Sequence, residues 1–367
     1  MSKLKVAIVG CGKIADAHVD QIRATGLAEV VAVCDSEILM AKQLADRFSI
    51  SQTFTDINLM IEQCKPDVIH LATPPDSHVP LAKLCLAKGI HLFIEKPFAN
   101  TAAEAHEIYS AAKAANRLVT VNHMYCFEDP FLDFKKQFDS GSIGEIVHCD
   151  AGFGYDLKGD YGVAVLTDEN HWVHRLPGKL FHNVLDHIFC KWSPFIKDVP
   201  LEVQAIAFRK RPAVGRPIID ALPDELRFAV KAGDQTFAGH ISAHARPVPH
   251  TMRVYGSKNS LSLDFACRTA VPIGRQKYPG SIGRVFPSLA TSVDFFKGFA
   301  RNAKSFKNYE YHFFQGMRRL LTSFYTSINT QQSLALPPDQ VMKTCKLIDS
   351  LVEAINVNQQ ISRGGTQ

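Results

Sequence analysis

Leu4-Lys5-Val6-Ala7-Ile8-Val9-Gly10-Cys11-Gly12-Lys13-Ile14-Ala15 is the stretch whose reading decides the fold. Its first six residues are a short apolar run of strand character. From Ile14 to Ala24 the apolar residues recur at helical spacing. Between them, Gly10–Ala15 fits G-x-G-x-x-G/A in the context where that pattern carries chemistry, the turn from a strand into a helix. Gly10 allows the tight turn and Gly12 lets the backbone approach a pyrophosphate. Ala15 permits close helix–strand packing, and the helix N-terminus offers N–H groups and a positive dipole. Asp35 ends the next apolar run, Val30–Cys34, about 20 residues beyond the glycines, where a carboxylate binds ribose hydroxyls and repels a 2′-phosphate. Ser36 and Glu37 follow, and neither is the Arg that would welcome that phosphate. A glycine turn and a surface Asp without a ligand is the plain alternative. The two features together predict an NAD site, with NAD preferred over NADP, and make Gly10, Cys11, Gly12, Lys13, Ile14 and Asp35 cofactor-binding candidates.

Outward from this motif the pattern repeats. Apolar runs at Leu4–Val9, Val30–Cys34, Val68–Leu71, His91–Ile94 and Leu118–Val121 alternate with helical spacing at Ile14–Ala24, Leu39–Phe48, Pro80–Ala87 and Ala102–Ala114. That alternation predicts a parallel, doubly wound sheet covered on both faces, over residues 1–123. Beyond residue 123 the texture changes. A helix is expected at Phe131–Ser140, then strands at Ile146–Gly152, Leu201–Arg209, Leu226–Lys231, Thr236–Ala243, Met252–Tyr255 and Ser260–Phe265. Short turns between such strands predict an open, mostly antiparallel sheet in an α+β domain spanning 124–367. Helices are expected again at Phe295–Ser305, Tyr311–Ile328 and Pro338–Gln360, and a long loop at Arg268–Ser288.

Composition narrows the classes. The chain has 367 residues, 46% hydrophobic and 21% charged, which suits a two-domain globular protein that needs neither disulfide nor metal to fold. Lys plus Arg number 41 and Asp plus Glu 36, a net +5 without the dense basic stripe of a nucleic-acid binder. No run is long and apolar enough to span a membrane, and the N-terminal apolar run is too short for a signal peptide. Nine scattered cysteines without C-x-x-C fit reduced thiols in the cytoplasm.

Three further stretches carry the rest. Thr73-Pro74-Pro75 follows Val68–Leu71, and Glu95-Lys96-Pro97 follows His91–Ile94, both at the carboxyl edge of the expected sheet. Taken alone each reads as a turn. With Gly10–Ala15, they make the chain resemble the Gfo/Idh/MocA oxidoreductases (glucose–fructose oxidoreductase, inositol dehydrogenase), strongly over residues 4–123 and more weakly to about residue 265, through Tyr255-Gly256-Ser257-Lys258-Asn259-Ser260-Leu261. The resemblance implies that Lys96 sits between nicotinamide and substrate, that Glu95 orients it, and that Lys96-Pro97 is a candidate cis bond. It adds Ala72, Thr73, Pro74, His78, Glu95, Lys96 and His123 to the cofactor candidates. It implies hydride transfer involving a secondary hydroxyl of a sugar, polyol or derivative. It also implies a homo-oligomer, dimer or tetramer, formed through the second sheet.

The family's second signature carries an Asp and a His on a helix facing the nicotinamide. The matching stretch here is Leu176–Cys190, and it departs from the pattern. Two i, i+4 pairs overlap in it, Asn183/His187 and His182/Asp186, on faces about 100° apart. The family spacing favours Asn183 and His187 as catalytic residues beside Lys96, with His182/Asp186 as the other register. The resemblance also admits an enzyme that retains NAD and oxidises a sugar only transiently, as some relatives do, and Asn183, which cannot ionise, leaves room for a catalytically silent sensor. Trp172, in His171-Trp172-Val173-His174-Arg175, is a candidate wall for a sugar ring, and Tyr125, after the last parallel strand, a substrate contact. Fifteen histidines raise the question of a metal, but no H-E-x-x-H or Cys pair supports one. Asp160 and Tyr161 read as loop residues, and Arg268, Arg275, Lys277 and Arg284 as solvated loop charge. Phe295, Phe296, Phe299, Phe306, Phe313 and Phe314 read as helix core or oligomer contact.

Overall fold

The computed structural model describes residues 3–274, 280, 282–308 and 310–364. The chain packs as two units. One runs up to Met124 and takes in Phe314–Lys346; the other comprises Tyr125–Phe313 and the chain from Leu347.

In the first unit, strands and helices alternate as β1 (Leu4–Val9), α1 (Lys13–Thr25), β2 (Ala28–Cys34), α2 (Ile38–Phe48), β3 (Thr53–Phe54), α3 (Ile57–Cys64), β4 (Val68–Leu71), α4 (His78–Ala87), β5 (His91–Ile94), α5 (Ala102–Ala115) and β6 (Val119–Val121). The strands pair in parallel in the order β3-β2-β1-β4-β5-β6. The order reverses between β1 and β4, the switch point at which doubly wound sheets bind ligands. Val6, Ala7, Ile8, Ile69, Leu71, Leu92, Phe93 and Ile94 are buried to 0–1%, as a sheet covered on both faces requires. Local signals set the helix ends. Thr101 caps α5 by accepting from Glu104 N–H, and Glu104 accepts in turn from the N–H of Asn100. β3 is two residues long and α3 only eight, too short to stand out in the sequence, although Ile57, Met60, Ile61 and Cys64 keep helical spacing in α3.

The second unit is built from α6 (Asp129–Asp139), β7 (Ile146–Gly154), α7 (Asp160–Thr167), α8 (Lys179–Trp192), β8 (Leu201–Phe208), α9 (Pro217–Asp220), β9 (Glu225–Ala232), β10 (Gln235–Ser242), β11 (His250–Gly256), β12 (Ser260–Asp264), β13 (Thr269–Ile273) and α10 (Ile282–Lys307). Its sheet runs β13-β12-β11-β7-β10-β9-β8, antiparallel except for the β7–β10 pair. The inner faces of β7, β9, β10 and β11 pack with α8 into one core, around Trp192, Phe189, Phe228 and Phe237. At Gly239 any Cβ would stand 2.2 Å from the Phe228 ring, so the ring occupies the space a side chain would take.

Two helices follow, α11 (Gln315–Thr330) and α12 (Pro338–Gly364). They refine the expected division. The chain changes unit at Met124, but α11 and the start of α12 return to the first unit instead of staying with residues 124–367. The expected loop at 268–288 is also corrected. Thr269–Ile273 pairs with β12 as an edge strand, where Pro272 lacks no needed N–H, and α10 begins at Ile282, thirteen residues before the expected Phe295. Arg275 and Lys277 lie outside the described residues. Arg268 is not solvated: it is 5% exposed, 2.6 Å from Asp129, and lies 4.6 Å over the Tyr311 ring. The phenylalanines Phe295, Phe296, Phe299, Phe306 and Phe313 are exposed by 48–74%, which removes the helix-core reading. Asp160 and Tyr161 open α7 instead of lying in a loop.

Candidate active site

Every cofactor candidate of the first unit lies on or beside the carboxyl edge of its sheet, because each follows a strand or starts the next helix. Gly10 and Cys11 follow β1, Asp35 follows β2, Ala72–Thr73 follow β4, Glu95–Lys96 follow β5 and Asn122–His123 follow β6. Gly10 adopts φ +92°, and a Cβ there would meet the Ala72 backbone at 2.7 Å. Only glycine lets the β1 and β4 loops touch at the switch point. Gly12 caps α1 with extended backbone, and nothing stands within 4 Å of where its Cβ would be. The open helix N-terminus therefore has room for a pyrophosphate to approach.

Asp35 is held by backbone. Its Oδ2 accepts from Cys11 N–H at 2.7 Å and its Oδ1 from Glu37 N–H at 2.9 Å. Ser36 Oγ also donates to Oδ1, at 3.5 Å, and Oδ2 keeps a second lone pair that suits a ribose hydroxyl. The residues present thus fit a dinucleotide. Cys11 contributes backbone only: its side chain is 1% exposed, and burial, with Asp35 and Cys34 nearby, pushes the thiol up to about 12.

His78 is placed differently from a ligand contact. It is fully buried, with Nε2 2.9 Å from Thr73 O and Nδ1 3.1 Å from Phe98 O. It braces the Thr73 turn from below, and Ser77 Oγ ties that turn from above by donating to Thr73 Oγ1 at 2.7 Å. Burial pushes its imidazole below the usual range, although the backbone hydrogen bonds oppose this.

The Lys96-Pro97 bond is cis. Lys96 keeps partial exposure while Leu92–Glu95 and Pro97–Ala99 are buried. Glu95 sits beneath it. Its Oε1 accepts from Asn122 Nδ2 at 2.6 Å and lies 2.9 Å from His18 Nε2, and its Oε2 accepts from Lys96 N–H at 3.2 Å. Burial alone would raise the Glu95 carboxyl. The His18 hydrogen bond and the charges of His18 and Lys96 more than offset it, so the group stays below the usual carboxylate range.

The second candidate cluster is on the second unit. From Leu180 to Trp192 on α8, every residue is buried except His187. The His187 ring lies 4.7 Å from that of Phe153 and 4.9 Å, edge-on, from that of Tyr125. Tyr125 also meets His250 at 4.4 Å, and His250 stacks on Phe265 at 4.5 Å. Behind them lies Lys191, 0% exposed, with Nζ 3.1 Å from His250 Nε2 and 4.1 Å over Phe265. Burial pushes Lys191 down to about 8, and pushes His250, beside Lys191 and His187, well below its usual range. Tyr125 and His187 are therefore neighbours. Asn183, one turn earlier on α8, donates instead to Tyr161 Oη at 2.6 Å. Trp172 stands apart from this cluster, stacked on His171 and packed on a small core of Val165, Val173, Leu180 and Leu222. His182 and Asp186 are buried to 1% and 2%. Among the described residues, no group of three or more His, Cys, Asp or Glu side chains gathers around a common point, and no helix is long and apolar enough to cross a membrane.

The sequence reading did not single out Phe153, His250, Phe265 or Lys191, nor His18, His70 and Tyr325 in the first unit. Only two carried a signal: Lys191 lies four residues beyond His187 and His18 three beyond Ala15, each on the same helix.

Comparison with known proteins agrees with this geometry. The family described as "Oxidoreductase family, NAD-binding Rossmann fold", Gfo/Idh/MocA, matches residues 4–123. D-glucoside 3-dehydrogenase of Escherichia coli is 31% identical over 146 residues, 40% of this chain and 42% of that protein. Inositol 2-dehydrogenase of Salmonella typhimurium is 30% identical over 145 residues, 39% and 43%. The matches thus span less than half the length of these relatives. Among solved structures, levoglucosan dehydrogenase with NADH superposes at a TM-score of 0.76 and 18% identity over 97% of both chains. An oxidoreductase from Agrobacterium radiobacter with NAD+, L-tartaric acid and magnesium does so at 0.74 and 15%, again over 97% of both. At such identities the likeness shows the fold, here along nearly the whole chain. Over residues 4–123 the chain matches the model of the Gfo/Idh/MocA oxidoreductase family, which describes an NAD-binding Rossmann fold.

Proposed function

We propose that the protein is an NAD-dependent oxidoreductase acting on a secondary hydroxyl, or the corresponding ketone, of a sugar, polyol or sugar derivative. One observation carries the reading: Lys96 is the part-exposed side chain of an otherwise buried turn, at the sheet edge that also holds the Gly10–Gly12 loop. NAD, when bound, supplies the acceptor for the hydride that leaves the carbinol carbon. In this reading Lys96 hydrogen-bonds the substrate oxygen and steadies the charge developing there, while His187 takes the hydroxyl proton. The exposure of His187 on an otherwise buried stretch of α8 supports the Asn183/His187 register. Asn183 orients through Tyr161, and Tyr125 forms part of the substrate wall. Trp172 keeps a place in the proposal as a more distant sugar contact. NAD is preferred over NADP because Asp35 is fixed as a carboxylate site for ribose hydroxyls. The remaining parts of the reading are a cytoplasmic setting, supported by nine free cysteines, eight of them at least half-buried, and self-association through the second sheet.

The test is to incubate the purified protein with NAD+ and a panel of polyols, sugars and sugar nucleotides, following absorbance of the reduced cofactor. Turnover of at least one secondary alcohol is expected. Binding of NAD+ without turnover of any of them would overturn the proposal.

A further inference from the structure

Below the Lys96 turn the first unit buries a chain of four polar side chains. His18 Nε2 lies 2.9 Å from Glu95 Oε1, His18 Nδ1 2.7 Å from His70 Nδ1, and His70 Nε2 2.8 Å from Tyr325 Oη. His18, His70 and Tyr325 are 0% exposed and Glu95 is 5% exposed. Phe93 fixes both rings, stacked on His70 at 4.7 Å and edge-on to His18 at 5.7 Å. The Glu95 carboxylate only accepts, so His18 Nε2 donates to it. Burial, with His18 beside it, keeps His70 well below the usual imidazole range and therefore neutral. His18 Nδ1 and His70 Nδ1 share one hydrogen bond, and His70 Nε2 shares another with the Tyr325 hydroxyl. The chain ends at Glu95, whose other oxygen holds the Lys96 N–H.

We infer that Tyr325, His70 and His18 are positioning residues that set the Glu95 carboxylate and, through it, the Lys96 turn. The inference rests on the reading of Lys96 given above. It gives α11 a role at the site: a helix some 230 residues along the chain reaches the Lys96 turn through three hydrogen bonds. The experiment is NMR of the whole protein labelled with 15N, alone and with NAD+, comparing wild type with Tyr325→Phe. Tyr109→Phe, which removes another buried hydroxyl of the same unit, is the control. In Tyr325→Phe the His70, His18 and Lys96 amide resonances should all shift, although Tyr325 pairs only with His70 along the chain. Tyr109→Phe should leave His18 and Lys96 in place. With a substrate from the panel, kcat of Tyr325→Phe should fall about tenfold with NAD+ affinity unchanged. Shifts confined to His70, or equal shifts in the control, would overturn the relay. A protein that binds no NAD+ would sink the functional reading instead, and the resonances of the free protein would still decide the relay.

A separate observation concerns α10. Leu289, Val293, Phe296, Phe299 and Phe306 are exposed by 45–74% along one side of the helix. The opposite side is tied down: Arg301 binds Asp133 and Arg268 O, and Asn302 binds Cys267 O. At about 200 Å² per phenylalanine, Phe295, Phe296, Phe299 and Phe306 alone expose about 500 Å². With the aliphatic residues the stripe approaches the ~800 Å² that one partner contributes to a standard interface. We propose that a second copy of this chain covers it, α10 against α10, with Ala300 and Ala303 leaving room for the opposing rings. Sedimentation of Phe296→Glu/Phe299→Glu should show half the wild-type mass, with its NAD+-induced gain in Tm retained. An unchanged mass would overturn the proposal. So would a monomeric wild type, including one that co-sediments with phosphatidylserine vesicles, which Lys297, Lys304 and Lys307 would attract.

Discussion

The sheet edge of the first unit and the α8 cluster of the second are both polar sites, but they are put together in opposite ways. At the edge, each candidate ends a strand or starts a helix, and backbone groups do much of the holding: Cys11 and Glu37 N–H on Asp35, Lys96 N–H on Glu95, the Thr73 and Phe98 carbonyls around His78. Around α8 the ring partners of His187 are side chains far from it in sequence, Tyr125 and Phe153; Tyr125 in turn meets His250, which stacks on Phe265, and a buried ammonium lies behind them. The first site is a property of local chain geometry. The second exists only once the mixed sheet has formed.

Substitutions should expose that contrast. The largest effect is expected at Lys96. Lys96→Ala removes the group proposed to meet the substrate oxygen, so turnover should fall by about 10³-fold or more while NAD+ still raises Tm as in wild type. Unchanged turnover would take Lys96 out of the chemistry. His187→Ala should cost about 10²-fold in kcat, and more than His182→Ala, since His187 keeps exposure on α8 and His182 is 1% exposed. The reverse order would select the His182/Asp186 register.

That difference in construction also explains what could be read from the sequence. The Rossmann order is written as a repeated local alternation and the glycine turn within a dozen residues, so Gly10 and Asp35 stood out; Lys96 stood out through the family resemblance carried by its E-K-P turn. The mixed sheet was legible as strands, but not its parallel β7–β10 pair, because residues about 90 apart meet there. For the same reason His250 and Phe265 carried no mark tying them to His187. Composition misled at Arg268, whose ion pair with Asp129 spans 139 residues and turns an apparent loop charge into a buried one. In the relay, His70 looked like one more residue of an apolar strand until Tyr325 reached it across 255 residues.

Smaller effects test the backbone-built site. Gly10→Ala forces a Cβ to 2.7 Å from the Ala72 backbone at φ +92°. It should cost about 2–3 kcal/mol in a denaturant melt and abolish stabilisation by NAD+. A variant that keeps both would mean that the loop relaxes freely. NAD+ should raise Tm more than NADP+, and Asp35→Ala should narrow the gap. An equal response of wild type to the two cofactors would remove Asp35 as the discriminator.

The smallest effect has the most telling sign. Lys191 is fully buried, and burial depresses its ammonium to about 8, against about 10.4 for a free lysine in the unfolded chain. Below pH 8 both states hold the proton and folding bears the whole cost of burying the charge. Between about 8 and 10.4 the unfolded chain binds the proton and the folded one does not, so this residue's contribution to stability rises with pH. The ring of Phe265 and the His250 nitrogen offset only part of that cost. Lys191→Met should therefore stabilise the protein at pH 7 by about 1 kcal/mol, with the advantage shrinking toward pH 10, as read from denaturant midpoints at the two pH values. A variant less stable than wild type at both would mean that the lysine holds the aromatic cluster together. The expected result would mark the α8 cluster as a place where the fold accepts a penalty, whereas at the sheet edge Asp35 and Glu95 meet their charge with hydrogen bonds already in place.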